Sequence, residues 1–301
     1  MILNKSTLDA VFKSLKTLFN NAFAKVEPQW NKIAMLVPST TKTNDYKWLS
    51  KIPKMRKWIG DKQVDALSAS TYSITNDDYE VTVEVDRNDI DDDQLGIYRP
   101  QAEMAGESAA QLPDEVVADL VNGAFTMKCF DGQYFIDTDH PVGDSTVSNK
   151  GTVALSAATQ AAAIASLGAA RTAMRKFKDE QGRPLGIRPK VLVVPPALED
   201  VANVLANNDK LEDGKPNPYK GTIEVLVLDR ATSDTAWFLL DTSRPVKPFI
   251  YQERKKPVFV QQIDPEADNV YLRKKFLFGA EARVAGGYGF WQLAWGSTGP
   301  G

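Results

Sequence analysis

The sequence predicts an α+β chain in which a compact α/β unit is inserted into a helix-and-strand domain, and three observations predict it. An apolar stripe keeps its phase over residues 98–124, which marks one long helix. Strands and helices alternate over residues 152–245, and strand-like runs fill residues 246–301.

The first element is a helix. Leu8, Val11, Phe12, Leu15, Leu18, Phe19, Ala22 and Phe23 recur at three- and four-residue steps, so one face is apolar along its length. Ser6 and Asp9 have the spacing of a capping box, and Pro28 closes the segment. A stripe this apolar needs cover, either from its own domain or from a neighbouring subunit.

Residues 38–95 are polar and extended, with scattered anchors at Tyr46, Trp48, Leu49, Ile52, Met55, Trp58 and Ile59. Tyr72 and Ile74 alternate, as do Val81, Val83 and Val85, which is the period of strands. The pattern describes a long two-limbed loop or hairpin. So polar a stretch does not build a core of its own and is expected to lie on other surfaces. Its limbs are oppositely charged: residues 42–62 carry about +5 and residues 76–93 about −8.

The long helix follows, with Tyr98, Ala102, Ala105, Ala109, Leu112, Val116, Leu120 and Ala124 on one face. The stripe runs through Pro113, so one bent helix is expected in place of two. About 30 residues at 1.5 Å rise span roughly 45 Å. The acidic run 89–93 stands just before it, where carboxylates favour the positive helix end.

A Gly- and Asp-rich connector, 128–151, leads to the α/β unit. There Ser156 is expected to cap a helix whose Ile164, Leu167, Met174 and Phe177 share a face. The run Val191, Leu192, Val193, Val194 reads as a buried strand, and Pro196 is placed to open a short helix. TIEVLVLD and TAWFLL supply further strands. The tail segments KPFIYQ, PVFVQQI, NVYLRKKFLFG and GGYGFWQLAWG suggest an antiparallel sheet that returns to the long helix. The resulting divisions are 1–44, 45–93, 94–151, 152–245 and 246–301.

Composition narrows the function classes. With 43% hydrophobic and 25% charged residues over 301 positions, the chain is globular. It lacks the ~18 to 20 consecutive apolar residues of a membrane span and the pattern of a secretory signal. Cys129, the single cysteine, excludes a disulfide framework and a Cys-rich zinc site, so folding in the cytoplasm is expected. A net charge of −3 argues against sequence-specific nucleic-acid reading, which draws its affinity from neutralised phosphates.

The chemistry-bearing residues are few. His140 is the only histidine, and DTDHP sets Asp137 and Asp139 beside it. One histidine with two carboxylates in a Pro-terminated loop has no second anchoring motif, so turn geometry explains the segment better than a metal does. The acids of 86–93 lack the Gly and Glu positions of a calcium loop, and a solvated or Lys-pairing surface explains them better. Nucleophile-elbow, P-loop, dinucleotide and H-E-x-x-H patterns are all missing. Cys129 reads as a small core residue, with no histidine close in sequence. Gly286, Gly287 and Gly289 read as bends between strands. No catalytic, cofactor or metal residue is assigned.

Three stretches carry a resemblance: FIDTDHPVG at 135–143, RPKVLVVPPALED at 188–200 and FGAEARVAGGYGFWQLAWGS at 278–297. Together with the order of elements, they resemble the HK97-fold major capsid proteins of tailed phages, and more closely the major head subunit family of Mu-like phages and prophages. The resemblance implies an N-arm (1–44), an E-loop reaching over an adjacent subunit (45–93) and a P-domain (94–151 with 246–301). It also implies an A-domain (152–245) whose tips meet at five- and six-fold axes. It implies no enzyme. The expected partners are further copies of the chain, as pentamers and hexamers, with a portal and double-stranded DNA held non-specifically, and no membrane. Some relatives carry a cleaved scaffolding segment ahead of the arm. The arm helix here is read from residue 6, so a separate scaffolding protein is expected. Relatives with a Lys–Asn cross-link direct attention to Lys51, Lys54 and Lys57, although nothing in the sequence positions them for one.

Inter-subunit contact is expected from Trp48, Lys51, Lys54, Arg56, Lys57 and Trp58 on the basic limb, meeting an acidic surface that includes Asp89, Asp91, Asp92 and Asp93. The alternative is that the limbs pair within one subunit. The rival functions are a nanocompartment shell of the same fold, and a metal-dependent hydrolase using Asp137, Asp139 and His140.

Overall fold

A computed structural model describes residues 5–50, 52, 54–55, 72–92, 95–264 and 266–300. Helix α1 (Lys5–Lys25) leads to strands β1 (Ala34–Pro38), β2 (Thr43–Asp45), β3 (Ser73–Thr75) and β4 (Asp77–Asp86). Short helix α2 (Arg87–Asp91) and the spine helix α3 (Arg99–Asn122) follow. The connector holds β5 (His140–Val142), β6 (Ser145–Val147) and β7 (Lys150–Gly151). Helices α4 (Gln160–Ala163) and α5 (Ala169–Arg175), joined by a π-helical turn, precede β8 (Val191–Val194), α6 (Glu199–Asn207), β9 (Glu224–Val227) and β10 (Trp237–Leu240). The chain closes with β11 (Phe249–Gln262), α7 (Asp268–Arg273), β12 (Lys275–Tyr288) and β13 (Ala294–Ser297).

Two sheets organise these elements. The first has the order β1-β11-β12-β4, antiparallel except for the β1–β11 pair. Its long strands shift register around Lys255, which is where Pro257 is tolerated inside β11. The spine helix lies on this sheet. Gly286 leaves room for Leu120 and Val116, and the Tyr288 hydroxyl donates to the Leu120 carbonyl at 2.8 Å. The second sheet has the order β7-β13-β10-β8-β9. All four residues of β8 are buried, which is why this strand is a continuous apolar run and does not alternate.

The arm stripe is covered by the chain's own body. Leu8, Val11, Phe12, Leu15 and Phe19 are buried. Phe12 stands edge-on to Phe276 and Phe278 of β12, and Phe19 meets Phe259 of β11. At Gly106 the spine has no side chain, and the Phe19 backbone fills the space. The first of the two candidate covers, the chain itself, is present in this fold.

Four expectations change. The spine is one helix through Pro113, as expected, but it has 24 residues, about 36 Å at 1.5 Å per residue. It is shorter because residues 95–98 form a 3-10 turn and the last turn closes at Gly123. Asp89 and Asp91 of the acidic run belong to α2, where Asp86 accepts from the Asn88 N–H as N-cap, and no acid occupies the first turn of the spine. The cap of the helix after residue 156 is Thr159, whose hydroxyl accepts from the Ala162 N–H. Ser156 instead makes a local turn with the Ala158 N–H. Finally, β13 leaves the return sheet to lie between β10 and β7, so the tail contributes strands to both sheets.

Candidate functional site: the loop root, the acidic strand and the buried histidine

The two limbs of the polar loop are pinned at their roots. β2 pairs antiparallel with β3, Thr43 opposite Thr75. Beneath them lies a polar knot that the sequence reading missed. Gln252, fully buried, accepts from the Tyr46 hydroxyl (2.7 Å) and donates to the Ile74 carbonyl and to Asn76 Oδ1 (2.8 Å). Asn76 in turn donates to Ser39 Oγ and the Thr41 carbonyl. Each buried polar group is satisfied, so the knot specifies one arrangement of four strands. Burial pushes the Tyr46 and Tyr72 hydroxyls up to about 12, and both stay neutral donors and acceptors.

The basic limb begins on the chain itself. Trp48 packs edge-on against Phe290 and Tyr46. Lys54 reaches the turn after α5, where its ammonium lies 3.6 Å from Asp179 and donates to the Pro184 carbonyl. Lys51, Arg56, Lys57 and Trp58 lie outside the described residues.

The acidic limb is β4, which pairs along its whole length with β12. Asp78 stands opposite Arg283 and Asp86 opposite Lys275 in that register, and both pairs are ion contacts, at 2.7 and 3.1 Å. Asp89 accepts from the Tyr98 hydroxyl. Asp91 belongs to α2, Asp92 is exposed at its end, and Asp93 lies outside the described residues. Among the described residues the limbs meet only at the β2–β3 root. A signal for the β4 pairing was present: Asp78 and Asp86 are eight residues apart, as are Lys275 and Arg283, so antiparallel register opposes both pairs at once.

The third place is the connector. His140 is fully buried and stacks on Trp291, with ring centroids 4.1 Å apart and planes 11° from parallel. Its carboxylate partner is Asp131, at 2.7 Å from Nδ1, and neither Asp137 nor Asp139 takes that place. Asp137 accepts from the Tyr134 and Thr138 N–H groups, and Asp139 faces Gln133. The DTDH carboxylates therefore make turns, and the hydrolase constellation built on them does not form. Cys129 is close after all: its thiol donates to Asp131 at 3.0 Å. Burial pushes this thiol well up, and the Asp131 charge adds to the effect. A nucleophile needs the reverse, a thiolate with a base beside it. Burial alone would raise the Asp131 carboxyl, but hydrogen bonds from His140 and Cys129 outweigh it and hold the group below the usual range.

The geometry thus contains packing devices, charged strands and one cluster of possible metal ligands, Cys129, Asp131 and His140, whose ligand atoms lie within 4.8 Å of one another. Residues 8–164, 153–231 and 228–300 match the family described as Mu-like prophage major head subunit gpT. The chain belongs to that family. This head subunit is 31% identical to the major capsid protein of Escherichia phage Mu, over 98% of this chain and 74% of that protein. It is 32% identical to the Mu-like prophage FluMu major head subunit of Haemophilus influenzae, over 95% of this chain and 71% of that one. Among solved structures it is similar to a chain of the bacteriophage JBD30 procapsid, with TM-score 0.62 and 30% identity over 98% of this chain and 76% of that chain. A virus-like particle from Pyrococcus furiosus shares the fold at 10% identity, with TM-score 0.53 over 95% of this chain and 98% of that chain.

The head subunit has the HK97-like capsid fold, and its family is one of structural capsid proteins of the virion. No helix among the described residues is long and apolar enough to cross a membrane.

Proposed function

We propose that this chain is the building block of an icosahedral head shell that encloses double-stranded DNA, acting by self-association and not by catalysis. The observation that carries the reading is similarity along nearly the whole chain to major head subunits and to a procapsid chain. The physical reading agrees. A shell needs many individually weak contacts between identical rigid bodies, and the buried knot under the loop root fixes one arrangement of its strands.

In this reading residues 1–44 are the N-arm, 45–93 the E-loop, 94–151 with 246–301 the P-domain and 152–245 the A-domain, with β13 lent to the A-domain sheet. Subunits gather as pentamers and hexamers in the host cytoplasm with a separate scaffolding protein and a portal. The mild acidity of the chain suits a container whose wall does not grip phosphates. Trp48 and Lys54 brace the loop at home, which leaves Lys51, Arg56, Lys57 and Trp58 to reach a neighbour's Asp89, Asp91, Asp92 and Asp93. Anchoring energy comes from the tryptophan, orientation and salt sensitivity from the charges.

Electron microscopy of the purified protein tests the reading. Closed shells, tubes or sheets are expected, since local contacts alone do not set curvature. A protein that stays monomeric at high concentration, with and without its scaffolding partner, refutes it. The double variant Arg56→Glu, Lys57→Glu is expected to fold normally and to lower particle yield, and a normal yield sinks the inter-subunit role of the basic limb.

A further inference from the structure

The hairpin that opens the connector brings three ligand-type side chains to one point. Lys128 and Tyr134 bridge across it, the Cys129 N–H donates to the Gln133 carbonyl, and Gly132 (φ 87°) makes the turn between them. Cys129 and Asp131 therefore project together toward His140 at the start of β5. The Asp131 carboxylate lies between its partners, with Oδ1 3.0 Å from the Cys129 Sγ and Oδ2 2.7 Å from the His140 Nδ1. A sulfur, a carboxylate oxygen and a ring nitrogen thus fall within 4.8 Å of one another. Cys129 and His140 are buried, and the Asp131 side chain is only 8% exposed.

This donor set suits a divalent cation of the zinc class. Sulfur and imidazole select against magnesium and calcium, which take oxygen ligands. Charge balances as well: a thiolate and a carboxylate together neutralise a divalent ion, so no net charge is left buried. Tetrahedral bonds of about 2.0–2.3 Å set ligand atoms roughly 3.3–3.8 Å apart, so the Nδ1–Oδ2 gap has to widen by about 0.6 Å. A modest rotation about the Asp131 Cβ–Cγ bond moves its oxygens that far, once the ion replaces the hydrogen bonds that hold them. The surrounding groups are those a coordinated ring requires. Asn149 Oδ1 lies 3.2 Å from Nε2, an acceptor for the ring nitrogen that faces away from the ion. Asn149 is itself held by Nδ2, which donates to the carbonyls of Phe135 (2.9 Å), Ala294 (3.3 Å) and Trp291 (3.4 Å). The Gln133 N–H donates to Asp131 Oδ1 at 3.1 Å, and Trp291 covers one face of the imidazole.

We propose that Cys129, Asp131 and His140 bind one zinc-class divalent cation through Sγ, a carboxylate oxygen and Nδ1. Three protein ligands leave the fourth position to a water from the adjoining cleft, which Phe130, Pro141 and Trp291 help to line. Binding displaces the thiol proton: the S–H bond breaks, the sulfur donates the freed electron pair to the cation, and the proton leaves to solvent. The cation fastens the connector hairpin to β5. Through Asn149 it also fastens both to the carbonyls of Trp291 and Ala294, where the chain enters β13.

Cys129 and His140 are the only cysteine and histidine in the chain, so a signal from either ligand reports this site alone. The untagged full-length protein is stripped with chelator and titrated with cobalt(II), both folded and during refolding from urea. One equivalent is expected to bind, with a thiolate-to-cobalt charge-transfer band and the strong visible absorption of four-coordinate cobalt, and zinc is expected to displace it. Zinc is also expected to raise the melting temperature by several degrees. Cys129→Ala is expected to lose the charge-transfer band and the zinc-dependent rise, and Asp131→Asn to weaken binding by at least about tenfold. Cobalt that binds without a thiolate band, or at less than one equivalent, is an adventitious ion only and overturns the proposal. An equal rise of melting temperature in wild type and Cys129→Ala overturns it too. Should either variant fail to fold, the wild-type cobalt spectrum decides alone.

Discussion

Truncation of Phe12 to alanine separates a self-docked arm from one that belongs on a neighbour. Phe12 has 0% of its surface exposed and stands 6.1 and 6.3 Å from the ring centroids of Phe276 and Phe278. Emptying a buried Phe site costs ~3–5 kcal/mol. The hole lies between a helix and a sheet, where α1 settles partly into it, so the lower figure applies. At about 1.4 kcal/mol per tenfold, a loss of about 3 kcal/mol makes opening of the arm on the order of 10²-fold more frequent. Amide hydrogen exchange over residues 8–23, in dilute unassembled subunits, reads this directly. Wild-type arm amides are expected to be protected, and Phe12→Ala to lose protection by that factor while β8 and β10 keep theirs. Wild-type arm amides exchanging at unfolded-chain rates until particles form would refute the argument, because α1 would then owe its cover to another copy.

Gly106→Val sets side-chain atoms against the Phe19 carbonyl and is expected to lower the melting temperature by several degrees; a variant melting like wild type contradicts the close approach of α1 to the spine. The Cys129 thiol, buried and pushed up by burial and by Asp131, is expected to react with a disulfide reagent only on unfolding, and rapid labelling of the native protein would contradict that placement. The Asp131 carboxyl is held below its unfolded value, so its contribution to stability is complete above the ordinary carboxyl range, ~4, and falls away as acid protonates the folded form. Denaturant melts of wild type and Asp131→Asn should therefore differ most at neutral pH and converge in acid; a constant difference would assign the effect to packing.

Periodicity carried the legible part of the fold. The arm stripe, the spine through Pro113 and the buried run of β8 each declare their type because one face, or both, must leave water. Periodicity names the face but not what covers it. The partners of Phe12 lie more than 250 positions away in β12, and only chain topology brings them there. Boundaries slipped where a local hydrogen bond decided the outcome. Thr159 outcompetes Ser156 because its hydroxyl reaches the Ala162 N–H, and the end of the spine is set at Gly123 by bonds to the Asp119 and Val121 carbonyls. The histidine cluster was hidden for a related reason. Asp139 is adjacent in sequence but faces Gln133, whereas the turn through Gly132 (φ 87°) folds Asp131 back under the ring.

Charge is the instructive case. Counted along the chain, the two limbs differ by about thirteen charges, which suggests that each is the other's complement. In the folded subunit the acidic limb meets a different complement. β4 finds Arg283 and Lys275 directly across a strand pair, and Lys255 pairs with Glu281, which stands opposite Glu80. A cross-strand partner costs no loop closure beyond the sheet already formed, whereas pairing with the basic limb would close a further loop for contacts worth about 1 kcal/mol or less each at the surface. The acids of β4 are therefore partly spent within the subunit. Any attraction the basic limb has for a neighbour has to come from acids such as Asp92, which is exposed in this fold, and from its apolar anchors more than from the net charge of the strand.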